Sequence, residues 1–294
     1  MSNFIELKNI ATSLNLEEFL DTQDISARMF RKLLKSGNVK INKELAKSKK
    51  RELNPGDIVR LTMPDEKIDI KPQEISIEIL YEDEDILVIN KKPFMVVHPT
   101  TNVKDNTLSN AVAFYFLENN INSKVRVINR LDRDTSGVIL FAKNSFGHQQ
   151  IAKQLENKTA TKRYYAVVVG ILNIKKDLIN EAIGKCEDSM GQCIRSDGLE
   201  SITKYKVIEE YNNSSLLELE ILTGRTHQIR LHLKHLGHPI IGDTLYNKEC
   251  KDINRQALHA SSISFKKTRI DEILKITAPL PDDITQLIKI LKAE

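Results

Sequence analysis

The sequence predicts an α+β protein in which a small α/β domain precedes a larger domain built on a mixed, largely antiparallel β-sheet. Three observations favour this class. The chain has 294 residues, enough for about two domains. The polar segment 63–76 contains two prolines, shows little periodicity and is typical of a linker. Beyond it, predicted strands and helices mix without the strict alternation of a parallel α/β fold. We therefore expect one domain at 1–62 and a second at 77–294.

The first domain is predicted to contain an amphipathic helix. Apolar residues recur at helical spacing on one face, at Met29, Phe30, Leu33 and Leu34. The opposite face is basic and carries Arg28, Arg31, Lys32 and Lys35. Ser26 is a candidate N-cap, and Gly37 follows the helix where a left-handed residue is common. The alternation after it, Val39, Lys40 and Ile41, predicts a half-buried strand.

Charge is concentrated around this helix. Residues 28–51 contain ten Lys or Arg and one acid, which gives +9, so the rest of the chain sums to −5 within a total of +4. A basic segment on a mildly acidic body indicates an element that binds a polyanion, although a solvated charged face has the same composition. Residues 12–62 resemble an S4 RNA-binding domain in SGNVKIN and NPGD, with departures at Ala27 and Lys43. The resemblance implies that Arg28, Arg31, Lys32, Lys35 and Lys40 contact RNA.

The second domain shows strand and helix patterns in turn. Buried or alternating strands are predicted at 85–90, 138–142, 164–170 and 216–222, and a helix at 107–117. A further helix is predicted from an N-cap at Thr226 to a stop at Gly237. The last helix follows PLPDD and has an apolar face made of Ile284, Leu287, Ile288 and Leu291.

Several classes of protein are disfavoured. No apolar run approaches the ~20 residues that span a bilayer, and the N-terminus lacks the order of a secretory signal. The three cysteines, Cys186, Cys193 and Cys250, have no CxxC spacing, which favours free thiols in a reducing compartment. We therefore expect a cytoplasmic protein without membrane contact. Neither GxGxxG after a strand nor GxxxxGK[ST] occurs, and no cofactor is expected.

The stretch NRLDRDTSGVILFAKN, residues 129–144, is the strongest candidate for a site of chemistry. Two carboxylates, Asp132 and Asp134, lie within five residues of two arginines, just before a hydrophobic strand. The spacing imitates the start of a calcium loop, but its twelfth position is Lys143, where a bidentate Glu is required. A surface turn is the plainer interpretation, since Asp, Ser and Gly favour turns.

RLDRDTSG, followed by a hydrophobic strand and AK, resembles the signature of the RluA-type pseudouridine synthases. KRYYAVVVG, TGRTHQIRLH, GHPIIGDTLY, LHASSISF and APLP match further family segments in the same order. The sequence departs from the family at Asn129, usually His, and at Phe94, usually Gly. The resemblance implies a pseudouridine synthase fold and isomerisation of uridine in RNA without a cofactor. It makes Asp132, Tyr164 and Arg230 the catalytic residues.

The chemistry gives each of these residues a task. A carboxylate can act as a nucleophile or as a base that removes a sugar proton, and the sequence leaves both open. Arg230 is expected beside Asp132, because a guanidinium nearby keeps a dry carboxylate ionised. Tyr164 is expected to stack on the extruded base, while Tyr165 on the opposite side of the strand is expected in the core. Arg133 is a candidate for an RNA phosphate.

Other functions compete with this one. A metal hydrolase would use His232, His235 and His238, but HExxH is absent and Gly237 breaks the helix; no metal is expected. A glycosidase-like pair, Asp132 and Asp134, is too local to flank a sugar. A non-catalytic RNA-binding or assembly factor would explain the basic segment alone. By analogy with S4-containing family members, the expected partner is large-subunit ribosomal RNA, with transfer RNA as the alternative. A monomer is expected.

Overall fold

A computed structural model describes residues 3–10, 14–186 and 191–294 of the chain. Their buried apolar side chains form three clusters. One cluster lies within the first 63 residues, apart from a single contribution from Phe146, and the other two cover opposite faces of the large sheet. Within the described residues, no helix combines the length and the apolar character that crossing a bilayer requires.

The N-terminal part is a small sheet packed against two helices. Its elements are β1 Phe4–Lys8, β2 Leu14–Asn15, α1 Leu16–Thr22, α2 Ala27–Lys35, β3 Val39–Ile41, β4 Glu44–Leu45, β5 Glu52–Leu53 and β6 Ile58–Thr62. An antiparallel sheet has the order β1-β6-β3-β4, and β2 pairs separately with β5. The S4 resemblance and the domain boundary at 62 remain predictions.

Helix α2 forms where the hydrophobic pattern predicted it. The Ser26 hydroxyl accepts a hydrogen bond from the Met29 amide at 3.3 Å and so caps the helix. Phe30 and Leu33 are buried in the domain core, and Gly37 follows the helix in the left-handed region with φ +69°. The basic residues of the other face are exposed, as is Lys40 on the following strand.

The predicted linker, residues 63–76, contains no helix or strand and is fastened to the larger domain. Glu66 forms an ion pair with Arg126 at 2.5 Å. Farther along, the Asp69 carboxylate accepts from the Val125 amide. The segment therefore lies along the larger domain with defined contacts.

The larger domain is a sheet flanked by helices. Its strands are β7 Glu78–Glu82, β8 Ile86–Lys91, β9 Arg126–Val127, β10 Ser136–Ala142, β11 Thr161–Val169, β12 Lys176–Asn180, β13 Ile183–Lys185, β14 Gln192–Ile194, β15 Ile202–Glu210, β16 Ser214–Ile221, β17 Leu258–Lys266 and β18 Ile273–Thr277. Its helices are α3 Leu108–Glu118, α4 Ser145–Glu156, α5 Gln228–His235 and α6 Asp282–Ala293.

Ten of these strands make one sheet among the described residues. Its order is β12-β15-β16-β11-β17-β10-β8-β7, with β18 beside β17 and β9 beside β10. The β10–β17 pair is parallel, and the others are antiparallel. The predicted α+β class with a mixed, largely antiparallel sheet is therefore confirmed.

The centre of the sheet is buried on both faces. Alternate residues of β10 point to opposite sides, so that Ile139 and Phe141 join one core while Val138 and Leu140 join the other. Side chains of α3, α5 and α6 complete the first core, and α4 packs on the second with Ile151. This burial makes β10 a rigid support for the loop that precedes it.

The start of α5 differs from the prediction. His227, and not Thr226, precedes the first helical residue, and its backbone is left-handed with φ 57°. Its side chain makes no capping hydrogen bond. The turn is held instead by the Gln228 side chain, which accepts from the Arg225 amide at 3.0 Å. Thr226 lies exposed outside the helix, whereas the predicted stop at Gly237, with φ +80°, is confirmed.

Helix α4 joins the two parts of the chain. Phe146, in its first turn, is buried in the N-terminal core. Farther along the helix, Lys153 forms an ion pair with Asp24 at 2.5 Å, and Gln149 accepts from the Ser26 hydroxyl at 3.0 Å. The basic helix α2 is thus held on the same side of the molecule as α4.

Candidate active site

The loop between β9 and β10 carries Asp132, and buried side chains bind the backbone of this loop. The buried Lys91 ammonium donates to the Arg133 carbonyl at 2.8 Å, and to two further carbonyl groups. Burial lowers the pKa of Lys91 to about 7. Arg255, also buried, donates to the Asp134 carbonyl at 3.0 Å. Asn129 accepts from the Leu140 amide at 2.8 Å, so the departure from His still provides a hydrogen bond.

Asp132 faces a cavity of about 480 Å³. Its side chain is 28% exposed, so one side contacts protein and the other opens to the cavity. Tyr164 and Arg230 line the same cavity. The structure therefore brings together the three residues predicted to be catalytic, although they are separated by up to 98 positions in the sequence.

Arg230 contacts two carboxylates at once. Its Nη1 donates to Asp132 Oδ2 at 3.0 Å. The other edge of the guanidinium, Nε and Nη2, donates to Asp243 at 2.7 and 2.8 Å. Burial opposes the charge of Arg230, but the hydrogen bonds and charges of Asp243 and Asp132 outweigh it and raise its pKa. A permanent positive charge therefore lies against the carboxylate of Asp132.

Asp243 is fully buried, and a tight turn places it there. Gly242 just before it has φ +76°, and a Cβ at this glycine would lie 2.2 Å from the Arg255 carbonyl oxygen. After the turn, the amides of Leu245 and Tyr246 each donate to Asp243 Oδ1 at 3.2 Å. The carboxylate thus has two backbone donors besides the guanidinium, as a buried charge requires.

His227 and Tyr246 form another wall around Arg230. The Nε2 atom of His227 is 3.9 Å from Asp132 Oδ2, and its Nδ1 is 2.9 Å from the Tyr246 hydroxyl. Burial lowers the pKa of His227, against the opposing charge of Asp132. The ring is therefore neutral near pH 7. The Arg230 guanidinium lies 5.1 Å from the centroid of the Tyr246 ring, within cation–π range.

Tyr164 extends from β11 and is buried at the cavity wall. Burial, and then the charge of Asp132, raise the pKa of its hydroxyl above the usual range. The phenol therefore keeps its proton at neutral pH and is a donor. The expectation for Tyr165 was wrong: this residue is only partly buried, although Val167, two residues farther along the strand, is fully buried.

The predicted RNA-binding residues lie outside this cavity. Arg28 and Lys32 of α2 line a separate cleft of about 910 Å³, between α2 and α4, which shares Glu156 with the first cavity. Arg133, whose side chain is 65% exposed, forms two hydrogen bonds with Asp134, at 2.7 and 3.0 Å. An RNA phosphate at Arg133 would compete with Asp134.

The histidines considered as metal ligands have other partners. His232 is buried, with Nδ1 2.9 Å from the Thr203 hydroxyl and Nε2 3.0 Å from the Glu181 carbonyl. His238 is bonded through Nδ1 to the Val169 carbonyl. Across the part of the chain that the structure describes, no cluster of three or more His, Cys, Asp or Glu side chains is arranged for a metal.

Several residues of the site were not identified from the sequence: Lys91, His227, Asp243 and Tyr246. Asp243 and Tyr246 lie in the matched segment GHPIIGDTLY, and His227 lies in TGRTHQIRLH. Their position within those matched segments was the signal that could have identified them. Asp243 was overlooked because an aspartate after a glycine usually indicates an exposed turn.

Comparisons with known proteins identify a family and relatives of this chain. The sequence model of the RNA pseudouridylate synthase family matches residues 85–235. A Bacillus subtilis protein named uncharacterized RNA pseudouridine synthase YlyB is 36% identical over 288 residues, which cover 95% of this chain and 95% of the relative. A Xylella fastidiosa ribosomal large subunit pseudouridine synthase D is 35% identical over 277 residues, covering 89% of this chain and 83% of the relative.

A solved structure has the same fold. The human protein RNA pseudouridylate synthase domain containing 1 superposes with a TM-score of 0.58 at 25% identity, over 76% of this chain and 97% of that one. The family match includes Asp132, Tyr164 and Arg230, whereas the first 84 residues lie outside it.

Proposed function

The chain belongs to the RNA pseudouridine synthase family, and from this membership we propose that it isomerises specific uridines of large-subunit ribosomal RNA with Asp132 as its catalytic residue. Membership makes it an isomerase that acts on uridine in RNA. The contact between Arg230 Nη1 and Asp132 Oδ2, 3.0 Å long at the cavity wall, is the observation that carries the assignment of Asp132.

The reaction breaks the C1′–N1 bond of uridine and joins C1′ to C5; N1 gains a proton and C5 loses one. Asp132 acts in its ionised form, as a nucleophile or as a base that takes a sugar proton. Arg230 favours that form, because a neighbouring positive charge offsets the cost of desolvating a carboxylate when the nucleoside closes the cavity.

The uridine must leave its helix to reach Asp132. Extrusion costs a few kcal/mol. Stacking on an aromatic ring returns about 1–3 kcal/mol per base, and Tyr164 is the ring at the cavity wall. A cavity of about 480 Å³ is within the usual range for small-molecule sites and accommodates a single extruded nucleoside.

Exposed cations of the N-terminal domain supply affinity for RNA that does not depend on the RNA sequence. We assign residues 1–62 as an S4-like RNA-binding domain joined by the segment 63–76 to the catalytic domain, 77–294. Its RNA contacts are Arg28, Arg31, Lys32, Lys35 and Lys40, all exposed, with Arg133 beside the cavity as a further phosphate contact. Neutralised phosphates release counterions, so this binding weakens with salt.

We propose ribosomal RNA, and not transfer RNA, as the target because a relative that aligns with most of the chain is named for the ribosomal large subunit. We expect a monomer that works in the cytoplasm. Mapping pseudouridines in cells with and without the protein identifies the substrate. If cells without the protein lost a pseudouridine from transfer RNA and none from ribosomal RNA, ribosomal RNA as the target would be contradicted.

Tritium release tests the catalytic assignment. Transcribed large-subunit ribosomal RNA labelled with tritium at uridine C5 loses its label when pseudouridine forms. Asp132→Asn keeps the size of the side chain and removes its charge, so we expect RNA binding to persist while release falls to background. Near wild-type turnover in this variant would make the assignment of Asp132 wrong. Absence of release by the wild type with any cellular RNA would favour a binding factor.

A further inference from the structure

Lys162 is a cation inside the active-site cavity that the mechanism above does not use. It lies on β11 two residues before Tyr164, and both side chains line the cavity that contains Asp132. Residues two apart on a strand point to the same face, about 7 Å from each other along the strand. Lys162 and Tyr164 therefore face the same cavity from adjacent positions on one face of the strand.

Within residues 3–10, 14–186 and 191–294, no carboxylate lies within ion-pair distance of Lys162. Gly224, which lines the same cavity, lies beside it: a Cβ built on this glycine would be 3.7 Å from the Lys162 Nζ. Burial lowers the pKa of Lys162 without an opposing charge. A desolvated ammonium that lacks a counter-ion costs free energy, and an anion supplied by a ligand would recover it.

Two other cations stand at the mouth of the cavity. Arg130 and Arg225 are exposed there, whereas Arg230 faces Asp132 and Asp243 from deeper in the wall. Lys162 does not form an ion pair with Asp132. Among the described residues, the basic side chains within 4 Å of Asp132 are those of Arg230 and His227. The position of Lys162 thus suits an anion of the substrate rather than the catalytic carboxylate.

We propose that Lys162 binds an RNA phosphate next to the extruded uridine and thereby positions its ribose over Asp132. The inference rests on the proposed function and adds to it a phosphodiester subsite in the cavity. Lysine is a compact point charge with rotatable donors, which suits a phosphate that the chain brings in at an angle. Arg130 and Arg225 extend the positive surface from this subsite toward the solvent-exposed RNA backbone.

RNA affinity measured against salt concentration tests the contact without turnover. Three proteins that all carry Asp132→Asn are titrated with fragments of transcribed large-subunit ribosomal RNA. One keeps Lys162, and the other two carry Lys162→Gln or Lys162→Arg. A lost phosphate contact lowers the salt slope by about 0.7, the value per phosphate for single strands. We expect Lys162→Gln to weaken binding about tenfold, as loss of one charged hydrogen bond does, and Lys162→Arg to restore most of it.

Lys206 provides the matched control. It is an exposed lysine on β15 of the same sheet and does not line the cavity. Lys206→Gln removes the same charge and should leave the affinity within about twofold of the parent protein and the salt slope unchanged. Equal losses in the two Gln variants would overturn the subsite, as would an unchanged slope in Lys162→Gln. If Lys162→Gln fails to fold, Lys162→Met replaces it, since its apolar chain tolerates burial.

Turnover separates the subsite from the proposed function. In the protein with Asp132 intact, we expect Lys162→Gln to raise KM about tenfold for labelled RNA and to lower kcat less. A variant that lowered kcat with KM unchanged would contradict a phosphate contact made in the ground state. If the wild type releases no tritium, the proposed function fails, and the salt slope alone still decides whether Lys162 contacts phosphate.

Discussion

Substitution of Asp243 by Asn separates the two carboxylates that share Arg230. Asp243 is fully buried and accepts two hydrogen bonds from the guanidinium, whereas Asp132 is 28% exposed and accepts one. Removing one partner of a buried ion pair costs about 3–5 kcal/mol, because the other charge stays buried. Removing a partly exposed partner costs about 1 kcal/mol or less. We therefore expect Asp243→Asn to lose several-fold more stability than Asp132→Asn.

Urea unfolding of the two variants measures this difference. At about 2–4 °C per kcal/mol for chains of similar size, Asp243→Asn should also melt roughly 10 °C below wild type. Its kcat should fall about a hundredfold, because a guanidinium displaced by about 1 Å no longer orients Asp132. The double variant should lose at least the sum of the single losses, since Arg230 then stays buried without either carboxylate.

Asp85→Asn is the matched control. Asp85 is buried and binds Arg269 through two hydrogen bonds, at 2.7 and 2.8 Å, away from the cavity. It should lose stability on a similar scale while kcat per folded enzyme stays at the wild-type value. The reasoning is refuted if Asp243→Asn unfolds within 1 kcal/mol of Asp132→Asn, or if Asp85→Asn and Asp243→Asn lower kcat equally.

Other predictions concern the buried histidine, the stacking ring and the basic helix. Burial lowers the pKa of His259 to about 4, below the ~6.5 of an unfolded histidine. The unfolded state therefore takes up a proton first, and this residue should remove about 3 kcal/mol of stability as pH falls from 6.5 to 4. Urea unfolding across this range should show a shallower pH slope in His259→Gln; parallel slopes would contradict it. Tyr164→Phe should keep RNA affinity, whereas Tyr164→Leu should lose about tenfold through lost stacking; equal binding would exclude the ring as a platform. Changing the exposed Arg31, Lys32 and Lys35 to Glu should weaken RNA binding and flatten its salt dependence, with an unchanged slope as the contrary result. The charge-matched control changes three exposed lysines of the larger sheet to Glu, Lys176, Lys206 and Lys275.

The sequence predicted the elements whose signals are local. Helix α2 follows from its spacing and its cap, and β10 follows from an unbroken apolar run. The start of α5 was predicted wrongly, because no local pattern reveals the left-handed backbone of His227 or the Gln228 side chain that holds the turn. Tyr165 was misplaced because burial changes along one face of a strand: Tyr165 is partly buried while Val167 is fully buried, and only the fold decides this.

The sequence predicted the three candidate catalytic residues, but it did not predict the buried charged residues that hold them in place. Ordered motifs identified Asp132, Tyr164 and Arg230, since each lies in a segment with its own pattern. Lys91 and Asp243 were missed for a physical reason. Charged residues are usually exposed, and burial of a charge depends on partners that converge from distant segments, such as the Arg133 carbonyl for Lys91. The sequence of a single chain carries little record of such convergence.

The sharing of Arg230 explains how one carboxylate can be both ionised and available. If the guanidinium fork bound Asp132 through two parallel hydrogen bonds, both carboxylate oxygens would be occupied. Asp243 takes the Nε–Nη2 edge instead, so Arg230 reaches Asp132 by a single N–H at Oδ2. Oδ1 is left without a bond from Arg230 while the charge stays nearby. A carboxylate in that state can approach the ribose of an extruded uridine without first breaking an ion pair. We therefore expect the buried Asp243 to be required for the proposed reactivity of Asp132 as well as for the stability of the fold.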